Sequence, residues 1–102
     1  MKNFSQGDIV KIDGLNGRYL IISKNAFIKS TKAFHVCPIL KDVKKGPLHI
    51  YVWGRKDTDG TVICEQLKLI DPDKRACTVV DSLPYDLIMD VSDAVQGMFE
   101  YE

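Results

Sequence analysis

Apolar and polar residues alternate in short runs through most of the chain, and only near the end does the spacing lengthen to three and four. The run "IVKIDG" alternates and stops at Asp13-Gly14, which predicts a strand followed by a turn. "LNGRYLIISKN" places Asn16-Gly17, a strong hairpin signal, directly before the β-rich Tyr19 to Ser23. The first two strands are therefore expected to form a hairpin. "NAFIKSTKA" predicts one short helical turn capped by Asn25, or a long loop. "FHVCPIL" reads as a third strand, with Pro38 implying an edge position or a bulge because proline gives no N–H to a ladder. "LHIYVWG" alternates as a fourth strand. "TVICEQLKLI" is a fifth that continues through Glu65 or breaks near it, and "CTVVDSLP" is a short sixth. In "PYDLIMDVSDAVQGMFEYE", Leu87, Ile88, Val91, Ala94, Val95 and Met98 recur at helical spacing, with Pro84 near the first turn. The pattern predicts a mainly β protein with α: a small, strongly bent sheet or barrel closed by one C-terminal helix.

Composition narrows the class without changing that picture. At 102 residues, 45% hydrophobic and 27% charged, the chain suits a single globular domain over residues 1–102. Its longest apolar runs are too short to span a bilayer. "MKNFSQGD" is not followed by a signal-like stretch, so a cytoplasmic location is expected. Fourteen basic residues balance fourteen acidic ones, and no net excess advertises nucleic acid. The distribution is uneven, however. Lysines concentrate from Lys24 to Lys45 and acids toward "FEYE", which is either a local basic surface or a solvated face. Cys37, Cys64 and Cys77 show no metal or redox spacing and read as small core hydrophobes.

One carboxylate stands out. Glu65 follows Val62-Ile63-Cys64 directly, where a buried strand would make it costly without a partner or a task. Taken in order, "QGDIVKID", "GRYLIISKNAF", "VCPIL" and "ICEQLKLID", followed by a short strand and a terminal helix, resemble the MazF/PemK toxin family over nearly the whole chain. "CEQLKLID" carries the most specific part of the likeness.

The resemblance implies an SH3-like (MazF/CcdB-type) small barrel that forms a homodimer and is neutralised by a cognate antitoxin protein. It also implies a metal-independent endoribonuclease, without cofactors, acting on single-stranded RNA. In that chemistry the ribose 2′-hydroxyl attacks the adjacent phosphate, leaving a cyclic phosphate and a 5′-hydroxyl, and the step needs a base, an acid and positive charge. Carried over by resemblance, Arg18 binds the scissile phosphate or donates a proton, and Glu65 acts as base or holds the active arrangement together. Lys68 stands where members often have arginine. With Lys41, Lys44, Lys45 and Gln66 it makes up the expected RNA-binding set.

The chain departs from the family pattern at several points. The loop before Arg18 is short, Tyr19 replaces a proline, and Leu40 stands where a phosphate-touching hydroxyl is expected. Other readings stay open beside the catalytic one. Arg18 is also an ordinary hairpin residue, and Glu65 a turn cap or the partner of Arg18 or a lysine in closing the barrel. Tyr51 and Trp53 suit base stacking, core packing or a dimer contact. His35 and His49 have no partner at a recognisable spacing and are assigned no catalysis. The alternative function, from a different class, is a catalytically degenerate member of the fold that binds protein or nucleic acid.

Overall fold

The hairpin signal holds. In the computed structural model, which describes residues 3–99, β1 (Asp8–Ile12) and β2 (Arg18–Ile21) pair antiparallel, with Ile9 opposite Leu20 and Val10 opposite Tyr19. Gly17 takes a φ of 81° in the connection, a left-handed conformation that glycine reaches without steric cost. The acidic Glu100 and Glu102 lie outside the described residues.

After β2 comes a true helix, α1 (Asn25–Thr31), in place of a single turn. Asn25 does not cap it. Lys24 occupies that position without a side-chain hydrogen bond, while Asn25 Oδ1 accepts the Gln6 N–H at 2.7 Å and ties the helix start to the N-terminal segment. Four strands follow: β3 (Phe34–Leu40), β4 (His49–Trp53), β5 (Asp59–Ile63) and β6 (Lys68–Ile70). The "TVICEQLKLI" run thus breaks, and Cys64 to Leu67 turn between β5 and β6. β7 (Cys77–Ser82) and α2 (Tyr85–Gly97) complete the described elements.

The strand order is β4-β5-β3-β2-β1-β7, with β6 beside β3. Pro38 therefore lies in a central strand, against the edge or bulge expected of it. The register explains why the sheet tolerates it. Ile22 N–H donates to His35 O, and alternation by twos makes Leu20–Cys37 and Arg18–Ile39 the bonded pairs, so the Pro38 nitrogen turns away from β2. On that far side β3 changes partner, pairing β6 through Phe34, His35 and Val36 and β5 through Ile39 and Leu40. The missing N–H falls in the gap between the two neighbours.

Pleat alternation sends side chains to two cores. Ile9, Leu20, Cys37, Ile39, Val52, Val62 and Cys64 face α2, which contributes the buried Leu87 and Val91. Val10, Tyr19, Ile21, Phe34, Val36 and Ile70 face the other way, packed by Phe4, Leu15 and Ile28 of α1. Each large side chain fully buried here contributes on the order of 1.5–3 kcal/mol. All three cysteines are buried, as their surroundings predicted, and burial pushes the Cys37 thiol up to about 12 and Cys64 to about 11.

The small barrel with a C-terminal helix is present, but strand pairing does not close it. The two ends of the main strand path, β4 and β7, meet through loop 54–58. Arg55 N–H donates to Ser82 O at 2.9 Å, and the Asp81 carboxylate accepts the N–H groups of Lys56 and Thr58 at 2.9 and 3.0 Å. Among the described residues, no helix is long and apolar enough to cross a membrane.

Candidate active site

Arg18 opens β2, and the pleat decides where its side chain goes. Cross-strand neighbours share a face, so Arg18 lies on the side of Ile39 and Val62, the side that α2 covers. From there its Nη1 donates to Asp57 Oδ1 at 2.8 Å and to the Thr58 hydroxyl. The hydrogen bond with Asp57 raises the arginine above its already high ordinary pKa and holds the Asp57 carboxyl below the usual carboxylate range. The arginine side chain remains 27% exposed. It is a fixed positive charge poorly suited to releasing a proton.

Behind this pair lies Asp81, only 4% exposed. Burial pushes its carboxyl up, but hydrogen bonds from the Thr58 hydroxyl and from the N–H groups of Ser82, Thr58 and Lys56 outweigh it and bring the pKa down to about 2. Gly54 makes room for this arrangement, since a Cβ there would lie 2.1 Å from Asp81 Oδ2. Arg18, Thr58 and Asp81 thus form one connected chain of polar contacts.

Glu65 sits elsewhere, exposed on the turn between β5 and β6. Its Oε2 accepts His49 Nε2 at 3.0 Å, and His49 Nδ1 reaches Lys44 O at 2.7 Å. The Glu65 carboxyl is held low first by its own backbone N–H and then by His49. The expensive buried carboxylate that the sequence suggested is therefore not buried.

The suggested Arg18–Glu65 pair does not form. Arg18 and Val62 stand two strands apart, and Glu65 is three residues further on. Each side chain instead takes a partner that the spacing did not announce. His49 in particular gains both a carboxylate and a carbonyl, against the expectation that it had none.

The remaining candidates divide around these two groups. Lys41 Nζ is 3.5 Å from Asp59 in an exposed pair, next to Leu40, which is 41% exposed where a hydroxyl would suit a phosphate. Lys44 and Lys45 are exposed in the loop between β3 and β4, and Gln66 is exposed beside Glu65. Lys68 lies opposite Val36 with Nζ 5.7 Å above the Tyr19 ring, which places it on the other face of the sheet from Arg18. Tyr51 and Trp53 are not core: they are 58% and 51% exposed on the edge strand, with ring centroids 5.9 Å apart.

Sequence reasoning missed His49, Asp57, Thr58 and Asp81. For Asp81 a signal existed, because an acid inside the apolar "TVVDSL" poses the same question as Glu65. A groove of about 820 Å³, lined in part by Phe4, Ile28, Lys29, Lys32 and Pro72, lies against α1, on the other side of the sheet from Arg18. Among the described residues, no group of three or more His, Cys, Asp and Glu gathers as a metal site would require.

Comparisons with known proteins agree on the architecture. No curated protein sequence matches the chain. Among solved structures, a MazE-MazF complex from Deinococcus radiodurans superposes with a TM-score of 0.84 at 17% identity, covering 100% of both chains. An endoribonuclease from Mycobacterial species in complex with its cognate antitoxin gives 0.82 at 13% identity, covering 98% of this chain and 100% of that one. These likenesses establish a MazF-like fold. A family model described as "PemK-like, MazF-like toxin of type II toxin-antitoxin system" matches residues 5–99, and the chain belongs to that family.

Proposed function

We propose that this protein is the toxin of a type II toxin-antitoxin system, acting in the cytoplasm as a homodimer that cleaves single-stranded RNA without a metal and is neutralised by a cognate antitoxin protein. The observation that carries the reading is the family match over residues 5–99. The neighbour structures that pair such a fold with an antitoxin support the partner.

In the reaction, the ribose 2′-hydroxyl loses its proton, its oxygen forms a bond to phosphorus, the bond to the 5′-oxygen breaks, and that oxygen takes up a proton. Arg18 suits the phosphate, because a guanidinium donates in a fixed planar fork and the hydrogen bond with Asp57 keeps it protonated. Among the described residues only its Nη1 carries a side-chain hydrogen bond within the chain, which leaves its other guanidinium N–H groups to a ligand. Its raised pKa favours charge stabilisation over proton donation. Glu65, ionised and exposed, suits the base. Lys41, Lys44, Lys45 and Gln66 suit the flanking RNA backbone. Lys68 points over Tyr19 and suits RNA only on the opposite face.

A second reading has its own observation. Arg18 and Glu65 are engaged by different partners and do not converge, and Leu40 offers no hydroxyl, which favours a non-catalytic member of the fold that binds protein or nucleic acid. Wild type, Arg18→Ala and Glu65→Ala assayed on a long single-stranded RNA with EDTA present separate the two. The nuclease reading expects cleavage by wild type and a loss of about 10²–10³-fold in Arg18→Ala, the scale of one removed transition-state donor. An inactive wild type leaves the binding module. Cleavage indifferent to both substitutions removes this site.

A further inference from the structure

The His49 ring meets hydrogen-bond acceptors at both nitrogens. Lys44 O has no proton to give, so Nδ1 donates across 2.7 Å; the Glu65 carboxylate has none either, so Nε2 donates across 3.0 Å. Two donors define the imidazolium, and a neutral ring has to give up one of these contacts. The ring is also seated. His49 pairs with Ile63 across β4 and β5, its N–H donates to Gly46 O at 3.1 Å, and a Cβ on Gly46 would stand 3.3 Å from Nδ1, so the loop passes close against it. Its side chain is 22% exposed.

We infer that His49 is the positioning residue for Glu65: its doubly bonded ring ties the lysine-rich loop between β3 and β4 to the turn that carries the carboxylate. The inference rests on the reading above, in which Glu65, Gln66, Lys44 and Lys45 serve RNA cleavage. One end of the tether holds the loop of Lys44 and Lys45, and the other holds the turn of Glu65 and Gln66. Without the ring the two segments keep the backbone bond from Cys64 N–H to Leu48 O at 2.9 Å but lose the side-chain contact that fixes the carboxylate, and the base is free to leave the orientation that the attacking hydroxyl needs.

Among the described residues, Glu65 on the turn is the charged side chain that bonds the ring and acts on it electrostatically, and Lys44 of the loop meets it through its backbone carbonyl, with Lys45 next in sequence. The Lys44 carbonyl, then Glu65, raises the ring above its ordinary 6.5. The sign follows. Below 6.5 the ring is charged whether folded or not; as pH rises through the raised folded value it loses its proton and with it one contact. Tethering is strongest on the acid side.

The test is an NMR titration of His49 and Glu65 in the full chain, in wild type, Glu65→Gln and His49→Gln, together with pH profiles of RNA cleavage for wild type, His49→Ala and His49→Gln. His49 is expected to titrate above 6.5 in wild type and to fall toward it in Glu65→Gln, while Glu65 moves up toward its ordinary value in His49→Gln. Wild-type kcat/KM is expected to fall as His49 deprotonates. His49→Ala is expected to lose about tenfold, and His49→Gln, whose amide restores a donor to Glu65, to recover part of that loss without the pH-dependent fall. A His49 that titrates at or below 6.5, or that Glu65→Gln leaves unmoved, overturns the inference, as does a His49→Ala profile identical to wild type. If wild type cleaves no RNA, the nuclease reading fails, and the titration still decides the tether. Glu65→Gln alters an exposed residue with the ring intact, so a folding defect in His49→Ala does not blur the result.

Discussion

Asp81 shows how one side chain is made indispensable by what surrounds it. It is buried, it accepts three backbone N–H groups, and the Thr58 hydroxyl that bonds it also receives Arg18. Asp81→Asn exchanges a carboxylate oxygen for an NH2 that points at donors, and a cost of about 3 kcal/mol is expected from the unmet hydrogen bonds. Urea denaturation at neutral pH measures it. The space is as constrained as the charge. Gly54→Ala puts a methyl within 2.1 Å of the carboxylate, so a loss of about 1–3 kcal/mol is expected, with the Arg18–Asp57 contact shifted. Combining Gly54→Ala with Asp81→Asn is expected to cost less than the sum of the two, because both act on one contact, and a double-mutant cycle reads that coupling.

Between residue and molecule stand the strands, where a proline in the middle of a sheet is the instructive case. Pro38 fits because its nitrogen faces the gap in which β3 changes partner. The same residue two positions earlier would not fit. The Val36 N–H faces β6, opposite Lys68, so Val36→Pro is expected to break that pairing and to destabilise by about 2–3 kcal/mol or more; urea unfolding checks it, with loss of amide protection in β6 as the local sign. This contrast also says what was legible in the sequence. Alternation, the Asn16-Gly17 turn and the helical spacing after Pro84 are local signals, and the hairpin, the strands and α2 match them. The position of Pro38 depends on which strands come to lie beside it, which no local window contains. Asn25 likewise looked like a cap, yet its side chain is taken by Gln6, 19 residues away. For the candidate site the residue types were readable and the pairings were not. Arg18 is held from loop 54–58, 39 residues on, and Glu65 by a strand residue 16 positions before it.

At the scale of the molecule, the seam between β4 and β7 is joined by a titratable group, and acid should find it. The folded pKa of Asp81 is lowered from 3.8 to about 2, so its stabilisation is fully present above 3.8 and is lost as pH falls toward 2. The stability difference between wild type and Asp81→Asn is therefore expected to stay level above pH 4 and to shrink between about pH 4 and 2, which urea midpoints across that range would measure. Hydrogen exchange gives the same answer in space: the Lys56 and Thr58 amides should lose protection together in Asp81→Asn while those of β1 and β2 keep theirs.

A barrel closed by a ladder has its circumference set by strand register, and a one-residue slip there turns every side chain inside out. Here the last join is made by a carboxylate reaching into a loop and by one backbone bond, Arg55 N–H to Ser82 O, and a loop contact of this kind imposes no register on the strands that flank it. The length between Trp53 and Asp59 takes over the role that stagger plays in a closed barrel. Lengthening that segment between Arg55 and Thr58 would unfasten the rim without disturbing any strand pair. In this chain the caliber of the barrel is written in a loop.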